Sequence, residues 1–298
     1  MLKVNRVVPR TAGHGDPARK ASRRVIRMNL RLVVARIRWP FGTDPIQNKN
    51  RHIRRNIRRF VRARGSRVPP PREANASLEI LVPCFNQGQY LAEALSSIGG
   101  WACAVTVIDD TSTDDTPEYV RCLSGRFHFS SMRNESNLGQ GESLNIAISR
   151  SPNDLFMVLN ADDLLLPYTL SAVTQVFADY PQVRLVGGSS IHFADSTTKH
   201  LDSDLARKLG YHPVPNIWGP KDALQFARLN DLNMTMSSCT FFKSAWREVG
   251  GFRRFDDRVC SYDDRDFQMR VAAVFPVAVL DEPLAFYRLG SSIGKGQE

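Results

Sequence analysis

The chain has 298 residues, of which 42% are hydrophobic, enough for one large buried core plus an appendage and too apolar for a disordered chain. The formal charge of +10 hides two opposed parts: residues 1–72 hold 21 Lys and Arg against only Asp16 and Asp44, while the remainder holds 19 basic and 28 acidic residues. No run approaches the roughly 18 apolar residues of a spanning helix, and MLKVNRVVPRTAGHG lacks the apolar segment of a secretory signal, so the expected location is cytoplasmic.

Residues 1–26 are rich in Arg, Lys, Pro and Gly and read as disordered. Between Asn50 and Arg64, Ile53, Ile57, Phe60 and Val61 share one helical face, with arginines on the other. Such a stretch suits an anionic membrane surface at the cytoplasmic face, and equally a solvated arm or one packed on the acidic body. Nucleic acid is the weaker partner, because no recognised binding module accompanies the charge. Arg67–Pro71 ends this part, so the expected division is a basic extension over 1–74 and a folded domain over 75–298.

From Leu78 the pattern alternates between strand and helix. Strands are expected at Leu78–Val82, Ala104–Ile108, Arg126–Met132 (with Phe127 and Phe129 alternating) and Leu155–Leu159. Helices are expected at Gln89–Ile98, Thr113–Leu123 and Glu142–Ser149. Strands alternating with helices imply an α/β domain with a mostly parallel, doubly wound sheet. Right-handed crossovers then bring Pro83–Asn86, Asp109-Asp110 and Asn160–Asp163 to one edge and one crevice.

The second half is less regular. Helices are expected at Leu166–Phe177, Lys221–Arg228, Lys243–Val249 and Asp266–Phe275, and strands at Val183–Ser189, Ser237–Phe242, Ala278–Leu280 and Leu284–Tyr287. Lys199–Asn216 reads as a loop or lid, Gly250-Gly251 as a helix stop, and the C-terminal GSSIGKGQE as a mobile tail. The five cysteines, Cys84, Cys103, Cys122, Cys239 and Cys260, are scattered and odd in number, which points to reduced thiols rather than a disulfide framework or a metal cluster.

Three acidic groups carry chemistry. Asp109 and Asp110 close the second strand, where carboxylates can accept hydrogen bonds from a base or a ribose. Helix capping accounts for Thr113 and Asp114 but not for the deeper pair. Asp162 and Asp163 follow a buried strand and have the oxygen chemistry of an Mg²⁺ or Mn²⁺ site, against the plainer reading of a polar turn. Asp263 and Asp264 precede an apolar-periodic helix and could either cap it or supply a general base.

Taken together, these stretches resemble the family 2 glycosyltransferases, which have the GT-A fold. The resemblance rests on ILVPCFNQGQYLAEALSSI, on VIDDTSTDDT, and on NESNLGQGESLNIAI followed by LFMVLNADDLLLP. It continues through VGGFRRFDDRVCSYDDRDFQMRVA and EPLAFYRLGSSI, and spans about Leu78 to Ile293. It implies a Rossmann-like, mostly parallel mixed sheet flanked by helices. It also implies transfer of a sugar, with inversion, from a nucleotide-diphosphate donor to a hydroxyl acceptor, assisted by Mg²⁺ or Mn²⁺. By position, Pro83, Asn86, Asp109, Asp110, Asn137 and Asn160 would line the nucleotide-sugar site, with Arg288 at the diphosphate. Asp162 would be the main metal carboxylate with Asp163 beside it, Asp264 the base, and Asp263 the acidic residue before it. The first acidic position of the metal motif is here Asn160, the usual Glu-Asp is Asp263-Asp264, and Leu289 and Gly290 stand where many relatives have a His. These departures keep open a second reading, a sugar-nucleotide-binding scaffold without catalysis.

Overall fold

In a computed structural model the described residues are 76–194, 215–220, 222, 234–253 and 263–291. The basic extension, the expected helix Lys221–Arg228 apart from Asp222, the tail after Ser291 and all of the Lys199–Asn216 loop except its last two residues lie outside them.

The first half is a parallel α/β unit. Strand β1 (Leu78–Cys84) runs through a 3-10 turn (Gly88–Tyr90) into α1 (Leu91–Ile98), followed by β2 (Ala104–Asp109), α2 (Thr116–Leu123) and β3 (Ser130–Arg133). Then come α3 (Gln140–Arg150), β4 (Leu155–Val158), the two-residue β5 (Leu164–Leu165) and α4 (Thr169–Asp179). β1 pairs in parallel with β2 on one side and with β4 on the other, and β2 pairs in parallel with β3. Side chains alternate along these strands: Ile80, Val82, Val107 and Met157 pack towards α1 and α4, and Leu81, Ile108, Phe156 and Val158 towards α3. Both faces of the sheet are thus covered, as a buried parallel sheet requires.

The second half adds β6 (Leu185–Phe193), β7 (Asn216–Trp218), β8 (Thr240–Phe242), α5 (Lys243–Val249), α6 (Asp263–Ala272) and β9 (Val277–Arg288). The strand order is β3-β2-β1-β4-β8-β6-β9-β5, with β7 on β9. β8 is antiparallel to both β4 and β6, whereas β6 and β9 are parallel. The sheet is therefore mixed, parallel in its first half.

Several expectations shift. Phe127 and Phe129 precede β3 and pack, partly buried, against the core instead of alternating within a strand. The two strands expected at 278–287 are one, β9, which passes Pro283 at a register shift opposite Ser189. Asn216 belongs to β7 rather than to a loop. α5 has the expected bounds and ends at Gly250 in a left-handed conformation. Among the described residues no helix is long and apolar enough to cross a membrane, and Cys84, Cys103, Cys122 and Cys239 are free thiols.

α6 is held by an aromatic group and by one buried ion pair. Phe267 lies 4.8 Å from Phe241 of β8 and 4.2 Å from Phe252, between ring centroids. Arg270, fully buried, donates from Nε to Asp266 Oδ2 at 2.7 Å and from its two terminal nitrogens to the Val249 and Gly251 carbonyls, each at 2.7 Å. Those carbonyls are at the end of α5, where a helix leaves acceptors unbonded. One guanidinium therefore locks the helix that carries Asp264 onto its neighbour.

Candidate active site

The C-terminal ends of β1, β2 and β4 meet, and the loops that follow them are bonded to one another. The Asp110 N–H donates to the Cys84 carbonyl at 2.9 Å, and the Ala161 N–H to that of Pro83 at 3.2 Å. Pro83 is thus buried within β1, with its carbonyl turned to the metal motif. Asn86, in a left-handed conformation (φ 52°), donates its N–H to Ser112 Oγ at 2.9 Å. Its Oδ1 accepts the Thr113 N–H at 2.8 Å, so its side chain braces the second loop. Gly88 brings the 3-10 turn against α2: a Cβ there would meet the Thr116 Cα at 2.6 Å.

Asp109 and Asp110 do not cap α2; Asp114 Oδ1 accepts the Thr116 N–H at 2.9 Å instead. Asp109 accepts the Ser112 N–H at 2.8 Å and forms an ion pair with Arg133. Asp110 accepts from Asn134 Nδ2 at 2.8 Å, the Leu138 N–H at 2.9 Å and the Gly139 N–H at 2.7 Å. Gly139 turns through φ 80°, which lets two successive N–H groups face one carboxylate. Thr111 between these loops also has a positive φ, 63°, at a cost of about 1–3 kcal/mol that persists where surroundings over-determine the backbone. Asn137 stands exposed on the same loop.

The metal motif separates its two carboxylates. Residues 164–165 pair antiparallel with β9 (Leu164 opposite Phe286), which sets Asp162-Asp163 beside Arg288. Asp163 is 1% exposed; its Oδ1 accepts the Arg288 N–H at 3.0 Å and its Oδ2 the Ser237 hydroxyl at 2.5 Å. Burial, with the neighbouring Asp162 charge adding to it, pushes the Asp163 carboxyl up to about 7. Asp162 is only half-buried; its Oδ2 accepts from Gln87 Nε2 at 2.8 Å and from the Ser291 hydroxyl at 2.5 Å. Asn160 Oδ1 accepts from Gln140 Nε2 at 2.7 Å, and its N–H donates to Ser237 Oγ at 3.1 Å.

Among the described residues no group of three or more His, Cys, Asp or Glu could hold a metal. A phosphate-bridged Mg²⁺ or Mn²⁺ needs only one or two carboxylates and takes its other ligands from substrate and water. Asp162, half-exposed and with Oδ1 making no hydrogen bond among the described residues, fits that arrangement; Asp163, buried with both oxygens bonded to protein, is a brace.

Arg288 differs from the expectation of a diphosphate contact. It is 2% exposed, its Nε donates to the Asp162 carbonyl at 2.9 Å, and its Nη2 pairs with Glu93 at 2.6 Å. Its guanidinium carbon lies 4.5 Å from the Tyr90 ring centroid and 4.6 Å from that of Phe193. A charge so enclosed faces the motif's backbone, not an open crevice.

Asp264 lies in the first turn of α6, half-buried, with Oδ1 accepting the Arg265 N–H at 2.7 Å. Burial pushes the Cys239 thiol up to about 12, and the nearby Asp264 charge adds to it. Ser237, two residues earlier, holds Asp163. Asp263 opens the same helix, and its side chain lies outside what is described.

Sequence reasoning missed Gln87, Arg133, Asn134, Ser237 and Ser291, which hold the acidic residues, and Gln140, which holds Asn160. Gln87 and Gln140 sit beside motif residues at the crowded sheet edge and could have been suspected. Ser237 and Ser291 approach from 74 and 129 residues away in sequence, where no spacing signals them.

The chain is similar to several known proteins. A glycosyltransferase of Haemophilus influenzae described as uncharacterised is 29% identical over 112 residues, 37% of each chain. The staphylococcal TarS fragment 1–349 in complex with UDP-GlcNAc superposes with a TM-score of 0.56 at 15% identity, over 74% of this chain and 62% of that one. The Pyrobaculum calidifontis mannosyltransferase PcManGT, in complex with GDP-Man and Mn²⁺, gives 0.52 at 16% identity, over 82% and 66%. The chain thus spans little more than a third of the Haemophilus relative and under two thirds of the TarS fragment. The two superpositions show the GT-A fold. Residues 79–249, from β1 to the end of α5 and more than half of the chain, match glycosyl transferase family 2, and the protein belongs to that family.

Proposed function

We propose that the chain transfers a sugar, with inversion, from a nucleotide-diphosphate sugar to a hydroxyl acceptor. The observation that carries this reading is the joining of three strand ends around one half-exposed carboxylate. Gln87 from the loop after β1 and Gln140 at the start of α3 both reach the Asn160–Asp162 motif, and Asn86 braces the loop after β2. The nucleotide lies over the ends of β1 and β2, where Asn86, Asp109 and Asp110 shape the loops, and exposed Asn137 is free to reach it. The first turn of α3 presents N–H groups to negative charge there.

Asp162 would hold the Mg²⁺ or Mn²⁺ ion, which when bound supplies positive charge against the departing diphosphate. Asp264 acts as the base. Its carboxylate takes the acceptor hydroxyl proton as that oxygen attacks the anomeric carbon; the bond from that carbon to the diphosphate oxygen breaks, and the nucleotide diphosphate leaves with the bonding electrons. Arg288 positions Asp162 through its backbone carbonyl, and Asp163 in turn holds the Arg288 N–H. That the TarS fragment binds UDP-GlcNAc and PcManGT binds GDP-Man and Mn²⁺ supports a donor of this class.

A panel of UDP- and GDP-sugars with Mn²⁺ tests this reading. Turnover of one donor, with product of inverted anomeric configuration by NMR, is the expected result. Nucleotide binding without turnover of any donor would favour the scaffold reading.

A further inference from the structure

We propose that Gln87 and Ser291 are positioning residues that aim Asp162, holding its Oδ2 from two sides and leaving Oδ1 as the oxygen that would be offered to the donor's cation. The proposal rests on the donor-site reading above. Gln87 comes from the loop after β1, and Ser291 from the segment after β9. Their contacts to Asp162 Oδ2 are 2.8 Å and 2.5 Å. The donors are fully used. Gln87 Nε2 carries two hydrogens and has two acceptors, Asp162 Oδ2 and the Ser291 carbonyl at 3.4 Å. Ser291 has one proton and two acceptors in reach, Asp162 Oδ2 at 2.5 Å and the Arg288 carbonyl at 3.2 Å. The shorter, charge-assisted bond takes it.

The backbone of Asp162 is fixed separately, by the Arg288 Nε bond to its carbonyl at 2.9 Å. Main chain and carboxylate are therefore held by different residues. A carboxylate whose side-chain torsions are already set loses less freedom when a ligand arrives. Gln87 also follows Asn86, whose side chain braces residues 113 and 114, so the loop that aims the carboxylate is the loop that shapes the nucleotide end of the crevice.

The test is Mn²⁺ uptake by the full chain, followed by electron paramagnetic resonance in the presence of UDP or GDP, with nucleotide binding in EDTA measured by calorimetry. Gln87→Ala and Ser291→Ala are each expected to weaken Mn²⁺ uptake about tenfold, the scale on which residues behind a metal ligand act. Ser291→Thr, which keeps the hydroxyl, should stay within about twofold of wild type. Nucleotide binding in EDTA should be unchanged, because both side chains meet the donor site at Asp162, and the melting temperature should fall only by the few degrees that a lost hydrogen bond accounts for. If wild type takes up no Mn²⁺ with either nucleotide, the donor-site reading falls, and this inference with it. If wild type takes it up and both alanine variants match it, this inference alone is overturned. Equal losses with and without metal would also overturn it, since the two residues would then support the crevice in general.

Discussion

The two halves of the sheet treat charge in opposite ways. At the ends of β1 and β2 the acidic side chains are bonded to loop N–H groups and to flexible partners: Asp110 to the Leu138 and Gly139 N–H groups, Asp109 to Ser112 and half-exposed Arg133. Around α6 and β9 the arginines are enclosed: Arg270 is buried with Asp266 at 0% exposure, and Arg288 lies between two rings while its partner Glu93 stays exposed. Asp162 and Asp163 stand at the seam and divide between the two regimes. The contrast teaches that burial in this crevice is matched by bonding: Asp109, Asp110 and Asp163 have both oxygens bonded to protein. Half-exposed Asp162, held at Oδ2 by Gln87 from the first half and Ser291 from the second, keeps Oδ1 without a hydrogen bond among the described residues.

The largest effect on stability is expected at the enclosed charges. Arg270→Met strands the Asp266 carboxylate and leaves the Val249 and Gly251 carbonyls unbonded; removing one partner of such a pair costs about 3–5 kcal/mol, read from urea denaturation. The double change Arg270→Met with Asp266→Leu should recover much of that loss. A single change costing under about 1 kcal/mol, the range of surface pairs, would break the contrast.

Asp163 supplies the next effect, through pH. With its carboxyl pushed up to about 7, the folded state keeps a proton that the unfolded chain releases near its ordinary value. In metal-free protein stability should therefore be greatest below about pH 4 as far as this group is concerned, and fall by roughly 2–4 kcal/mol as pH rises through 7. Urea denaturation in EDTA across this range checks it. Asp163→Asn should remove the slope, and an unchanged slope would place Asp163 with half-exposed Asp162 rather than with the enclosed charges.

A smaller loss is expected in the polar half. Gly139→Ala places a Cβ in open space, since nothing lies within 4 Å, so the cost is that of the backbone alone, which at φ 80°, ψ 161° is nearly confined to glycine, about 1–3 kcal/mol. Nucleotide affinity should fall with it, because the Gly139 N–H to Asp110 shapes that loop. Unaltered stability and affinity would show the loop to be less constrained than its bonds indicate.

The first half was largely legible because local signals agree there: apolar runs of strand length, helices with one apolar face, and acidic residues just after strands. Right-handed crossovers then sufficed to gather Asn86, Asp110 and Asp162 at one edge. β3 was misplaced because it is an edge strand of polar residues, Ser130–Arg133, paired through its backbone with β2, while the alternating Phe127 and Phe129 lie before it. β5 is two residues long, and no periodicity can announce it, yet its pairing with β9 brings Arg288 to Asp162. Adjacent aspartates look alike in sequence; only the approach of Ser237, Ser291 and Gln87 from distant positions decides which is buried and which is open. The same limit explains Arg288, whose burial depends on Tyr90, Glu93 and Phe193 from separate elements.

The central claim is that donor binding and proton removal belong to different carboxylates, Asp162 in the first half's loops and Asp264 on the second half's helix. The most direct measurement compares Asp162→Ala and Asp264→Asn for Mn²⁺-dependent donor binding by calorimetry and for transfer rate. Asp162→Ala should lose binding and transfer together. Asp264→Asn should bind donor as wild type does while transfer falls by about 10²–10⁴-fold, the range for a lost general base. Wild-type transfer by Asp264→Asn, or wild-type Mn²⁺-dependent binding by Asp162→Ala, would contradict the account.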